Sequence, residues 1–180
     1  MSGRLHKTER IGKGITMTDP IKERAISIIV NNKPDVLARI AGTFSARGFN
    51  IESISANVTR NPVITKIIIT TLSTQETINK IIKQLNRLVD VLDARKISRS
   101  QVCRREMILA RVSMAEDRQA AVEELVGAHS GKVVSRESGS AILEFTGDKD
   151  TIEEVLNRLE ALGMEDLTRT GAVFMEKGKP

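Results

Sequence analysis

Apolar positions along this chain change their period several times, and each change marks a new element. Ala25-Ile26-Ser27-Ile28-Ile29-Val30 is nearly continuous in apolar character, as expected of a strand covered on both sides. Leu37, Ile40, Ala41 and Phe44 then recur at i, i+3, i+4 and i+7, which predicts a helix over residues 35–47 with those four side chains on its buried face. Ile51 to Val58 alternates Ile51, Ser53 and Ser55 with Glu52, Ile54 and Ala56 and reads as a strand. Asn61-Pro62 turns the chain, and the β-branched run Ile64–Leu72 predicts a third strand. Ile78, Ile81, Ile82, Leu85 and Leu88 mark a second amphipathic helix, and Val89–Ile97 supplies a fourth strand.

The same order then recurs. Met107–Val112 is a strand, and Val122, Leu125, Val126 and His129 lie on one helical face that stops near Gly131. Lys132–Val134 and Ala141–Phe145 are strands joined through Ser138-Gly139-Ser140. Asp148–Leu162 is a helix with Ile152, Val155, Leu156, Leu159 and Leu162 inside, Gly163 ends it, and Leu167–Met175 holds the last strand. The first strands and first helices repeat at an offset of 82 residues. The fold class is therefore α+β, as two ferredoxin-like βαββαβ units over residues 25–98 and 99–180, behind an N-terminal extension of residues 1–24.

The punctuation around the first helix carries the chemistry. Asn32 and Pro34 end the preceding strand. Pro34 suits a helix start because it has no N–H to leave unpaired, and Asp35 is placed to accept from the first free amides as a cap or first-turn residue. Gly48 follows as the stop. Asn32 and Asn50 thus stand at opposite ends of one helix, where a turn with free backbone N–H groups can hold a carboxylate. The structural alternative is that both asparagines simply tolerate turn geometry.

Composition narrows the function classes. Of 180 residues four are Phe and none is Trp or Tyr, so aliphatic residues must fill both cores. Net charge is +5, but residues 1–24 hold six cations against three carboxylates and so supply +3 of it. That puts the basic excess in the extension, which reads as disordered, rather than on a folded face as a nucleic-acid binder requires. Met17 is a candidate alternative start. Arg95, Lys96, Arg99, Arg104 and Arg105 form a basic run that reads as a partner site or as a solvated boundary strand. One cysteine excludes an intrachain disulfide, and two histidines with it make no zinc set. No apolar run approaches membrane-spanning length and residues 1–20 hold no signal-peptide core, which reads as cytoplasmic.

No Ser or Cys has an identifiable base, and His129 on an apolar helix face reads as half-buried rather than catalytic. Cys103 beside Arg104 and Arg105 has cationic neighbours but no base. The βαββαβ order also occurs in RNA-recognition domains, but those stack bases on sheet aromatics, and the strands here carry none. Apolar strands in so small a unit imply pairing with a second copy.

Four blocks in order resemble the regulatory (small) subunit of acetolactate synthase, also called acetohydroxyacid synthase, whose N-terminal unit is an ACT domain. They are Asn31–Ile54, Gln84–Leu92, Val102–Val112 and Arg169-Thr170-Gly171-Ala172-Val173, and the likeness runs from about Ala25 to about Lys177. The resemblance implies a non-catalytic subunit, without cofactor, metal, nucleic acid or membrane, that binds and activates a thiamine-diphosphate-dependent large subunit and transmits feedback by a branched-chain amino acid, with valine the first candidate. It implies a homodimer through the ACT domains, in which Asn32, Pro34, Asp35, Val36 and Leu37 of one copy face Asn50 and Ile51 of the other. The family usually has Gly where this chain has Asp35. A carboxylate there repels an incoming carboxylate, so valine inhibition is expected to be weak or absent with activation retained; the opposite reading turns Asp35 outward to pair with an effector ammonium. Two other classes stay open. A free-standing ACT-type sensor of another pathway would ignore the synthase, and a nucleic-acid adaptor using the tail would lose binding with salt.

Overall fold

The computed structural model describes residues 19–178, the Arg99 side chain apart. Of the extension expected to be disordered over residues 1–24, residues 1–18 and the start at Met17 lie outside the described residues, and residues 22–24 lie in the first strand. The first unit runs β1 (Lys22–Asn31), α1 (Val36–Ser45), β2 (Ser53–Val58), β3 (Ile64–Ser73), α2 (Gln75–Leu85) and β4 (Val91–Lys96). The second runs β5 (Val102–Ser113), α3 (Glu116–Ala128), β6 (Lys132–Glu137), β7 (Ser140–Gly147), α4 (Lys149–Ala161) and β8 (Met164–Arg169), followed by β9 (Val173–Glu176). The sheets have matching orders, β2-β3-β1-β4 and β6-β7-β5-β8, with every pairing antiparallel. The 82-residue repeat extends to detail: β1 shifts register against β4 between Ile29 and Val30, and β5 shifts against β8 between Arg111 and Val112.

Each unit has its own core under its helices. Ile26, Ile28 and Val30 of β1 meet Ile40, Phe44 and Ile81; their counterparts Ile108, Ala110 and Val112 of β5 meet Val122, Leu125 and Leu159. A third cluster joins the units. Ala25 and Ile68, on the face of the first sheet away from its helices, pack against Val102, Ala172 and Phe174. The early part of β5 pairs with β9, Val102 opposite Glu176 and Arg105 opposite Val173, and this two-stranded ribbon supplies the cover. Burial of β1 on both faces follows, as its continuous apolar run predicts.

Three expectations shift. The buried stripe of α1 is Val36, Ile40 and Phe44; Leu37 is 46% exposed and Ala41 only half-buried, because the apolar arc is wider than the strip that the sheet covers. β1 starts at Lys22 rather than at Ala25, and Arg24 is buried there, its Nε donating to the Ser73 carbonyl at 2.9 Å. The last strand is two strands, broken at Thr170-Gly171-Ala172 so that the chain leaves one sheet edge and joins the ribbon.

Candidate functional site

α2 and α4 begin in the usual way. Thr74 (φ −79°, ψ 165°) accepts from the Thr77 amide, and Asp148 (φ −75°, ψ 179°) accepts from the Thr151 amide at 3.0 Å. α1 does not. Asp35 occupies its cap position at φ 67°, ψ −15°, in the left-handed region, and makes no capping bond. The expected cap is therefore absent: an extended backbone aims a side chain at the free amides, whereas this one turns it away. The Asp35 carboxylate instead lies 3.7 Å from Arg39 on an exposed face. No acidic residue stands in the first turn of α1, and the amides of Val36, Leu37 and Ala38 donate to no group among the described residues. That leaves an uncapped helix N-terminus, which favours an anion through its dipole and its free donors.

The turn before α1 is held from two sides. The Asn32 side chain donates to the Pro62 carbonyl at 2.9 Å and accepts from Thr65 Oγ1 at 3.1 Å, while its amide donates to the Val63 carbonyl at 2.8 Å. Asn32 thus braces the turn against the β2–β3 hairpin with both ends of its side chain. On the other side Asp90, 5% exposed, receives Lys33 at 2.8 Å and Arg39 at 3.2 Å, and its carbonyl accepts from the Asn31 amide at 2.9 Å. The hydrogen bond from Lys33 leads the causes that hold the Asp90 carboxyl below its ordinary value.

At the far end of α1 the Asn50 carbonyl accepts from Thr71 Oγ1 at 2.7 Å, and Ile51 packs half-buried on the first core. Val36 lies inside that core and has no free surface to offer; Leu37 does. Within one chain the seven expected residues form two separate groups. Asn32, Pro34, Asp35, Val36 and Leu37 cluster at the start of α1, and Asn50 and Ile51 lie beyond its end. A helix of ten residues keeps the two groups about 15 Å apart at ~1.5 Å per residue.

A second polar assembly lies between the units, in a cleft of about 550 Å³ that Ile51 and Ile54 border. Six charges alternate along it. Lys149 pairs with Glu23 at 2.6 Å; Glu23 and Glu106 flank Arg104; Arg169 donates to Glu106 at 2.7 Å and to Glu153 at 2.9 Å. Burial pushes Glu23 up, but the bonds from Lys149 and Arg104 outweigh it and bring its carboxyl below the ordinary value. Burial likewise works against the Arg169 charge, and Glu106 and Glu153 more than compensate. The Arg104 guanidinium also lies 5.7 Å from the centroid of the Phe174 ring. The basic run of residues 95–105 is accordingly not one surface: Arg104 belongs to the interior chain, and Arg95 pairs with Glu176 at 2.9 Å. His129 lies half-buried 3.7 Å from Glu154, and no group of three or more His, Cys, Asp or Glu among the described residues could hold a metal.

Comparison with known proteins bears on the geometry. A family model described as an AHAS small subunit-like ACT domain matches residues 26–93, and one described as the small subunit of acetolactate synthase matches residues 105–178. A probable acetolactate synthase small subunit of Archaeoglobus fulgidus is 34% identical over 156 residues, 87% of this chain and 98% of that protein. The chain belongs to the acetolactate synthase small-subunit family. A small subunit of Buchnera aphidicola is 32% identical over 160 residues, covering 87% of this chain and 99% of its own. The crystal structure of the Thermotoga maritima small subunit superposes with a TM-score of 0.81 at 33% identity, over 89% of this chain and all of that one. The α+β reading and the ACT assignment of the first unit hold.

Sequence reasoning missed Asp90, Lys33 and Arg39 as the clamp on the turn. The available signal was one carboxylate between Val89 and Val91 at a helix-to-strand step, which also suits any solvated turn.

Proposed function

We propose that this chain is a non-catalytic regulatory subunit that binds the catalytic subunit of acetolactate synthase in the cytoplasm, raises its activity, and carries a branched-chain amino-acid effector site, valine first, at a homodimer contact between two ACT units. The observation that carries the reading is the uncapped start of α1: free amides at Val36–Ala38 behind a residue in a glycine-type backbone conformation. Such an end suits the carboxylate of an amino acid. Leu37 on one copy and Ile51 on another would enclose the aliphatic side chain. The separation of the two groups along α1 is what calls for the second copy.

Asp35 modifies this site. Its carboxylate faces Arg39 and leaves the amides uncovered, so the site is open, but it keeps a negative charge at the mouth. Valine should therefore act weakly, and Asp35→Gly should strengthen it by removing that charge while keeping the backbone shape. The test is acetolactate formation by the catalytic subunit of the same organism with this chain titrated in and valine then added. A saturable rise in rate supports the regulatory reading. No rise and no complex would sink it in favour of a free-standing amino-acid sensor.

A further inference from the structure

The block Arg169-Thr170-Gly171-Ala172 has no part in the site proposed above, yet each of its residues is fixed. Arg169 joins Glu106 to Glu153 in the alternating chain of charges. Thr170 is bonded to Met107 of β5 three times: its amide donates to the Met107 carbonyl at 3.0 Å, its Oγ1 accepts from the Met107 amide at 3.0 Å, and the same hydroxyl donates to the Met107 carbonyl at 3.3 Å. Ala172 is 2% exposed in the cluster that covers the first sheet. Gly171 lies against β2 of the other unit so closely that a Cβ there would stand 2.9 Å from the Ile54 carbonyl oxygen and 3.1 Å from its carbon. The contact is backbone on backbone, with no side chain to absorb a shift.

β2 is an edge strand that, among the described residues, pairs with β3 alone. Its approach, Asn50 and Ile51, is the second half of the proposed effector site, and Ile51 also borders the cleft between the units. An effector that draws Asn50–Ile51 toward another copy must move the start of β2, and β2 cannot move far without meeting Gly171. We infer that the Thr170-Gly171 connector is a positioning element that passes effector occupancy from β2 of the first unit to β5 and β9 of the second. The inference rests on the effector reading. A close-packed contact with two discrete arrangements is the physical form that such coupling takes.

The experiment uses the full chain with its catalytic subunit, in the native and Asp35→Gly backgrounds, with L-valine as the probe. Acetolactate formation gives activation and inhibition, and calorimetry on the chain gives valine affinity. Gly171→Ala crowds the contact; Thr170→Val frees the connector from the Met107 amide without crowding it. Each should keep activation within about twofold and valine affinity nearly unchanged, while shifting the half-inhibitory valine concentration by about fivefold or more, the range of ordinary coupling energies. Thr170→Ser, which keeps the hydroxyl acceptor, should restore the native response. Inhibition that is unchanged in both variants overturns the inference, as does parallel loss of binding and inhibition, which would make the connector part of the site. Absence of any valine binding or response in both backgrounds overturns the effector reading, and this inference with it.

Discussion

The two units share an order of elements, a register shift and a repeat length, but differ at two places that matter. In the second unit α3 starts with Glu116 and Asp117, so two carboxylates already neutralise the positive end of its dipole. In the first unit the first turn of α1 holds no acid and Asp35 faces outward. Neither start has a side-chain cap; the α3 start carries two carboxylates in its first turn and the α1 start none. The sheets differ in cover as well. β1 is buried along nearly its whole length, whereas in β5 beyond Arg105 buried positions alternate with half-buried ones and with the exposed Arg111. The first sheet is sandwiched between its helices and the β5–β9 ribbon; the second has helices on one side and solvent on the other. Duplication of a fold thus yields one unit with an acid-free helix start and a covered back, and one that provides the cover.

The contrast is most easily broken at Glu106. It is 3% exposed between Arg104 and Arg169, and Glu106→Ala leaves two cations without their shared partner. Removing one member of a buried pair costs roughly 3–5 kcal/mol, so a large fall in Tm is expected, read by calorimetry on the full chain. Phe174→Ala comes next. It opens the cover over Ala25 and Ile68 and should cost about 3 kcal/mol as an aromatic-to-alanine truncation, with hydrogen exchange rising in β1 and β3 more than in β7. Asp35→Gly is smaller and of opposite sign. It relieves a non-glycine residue at φ 67° and should stabilise by about 0.5–1 kcal/mol, while making the start of α1 still less like that of α3. The smallest effect is acid loss at the clamp. Asp90 titrates below its ordinary 3.8 in the folded chain, so its contribution is complete above that value and disappears as pH falls through the lower folded value. Asp90→Asn should remove that acid-side slope from a plot of stability against pH.

Much of this was legible in the periods of the apolar pattern, because sheet and helix faces are local. The continuous run at Ala25–Val30 announced cover on both sides, although not what provides it. Val36 and Leu37 show the limit: both fit the stripe of α1, and only the sheet beneath decides which one is buried. Arg104 shows another. In a row of five cations it resembles a solvated charge, and its carboxylate Glu23 lies 81 residues earlier. The Asp90–Arg39 contact spans 51 residues, and nothing local signals it. The break between β8 and β9 has its signal in Gly171, which the apolar pattern alone leaves inside a continuous strand. At Asp35 the residue type suggested a cap, and the backbone conformation, set by a turn held from both sides, overrode it.

Among the six alternating charges between the units, Glu23 comes from the first unit and the other five from the second. A hybrid that joins the first half of one relative to the second half of another is therefore constrained at this position. It needs a carboxylate on the opening strand wherever the grafted half brings two cations to meet it. Loops and surface helices can be exchanged with far less regard for ancestry.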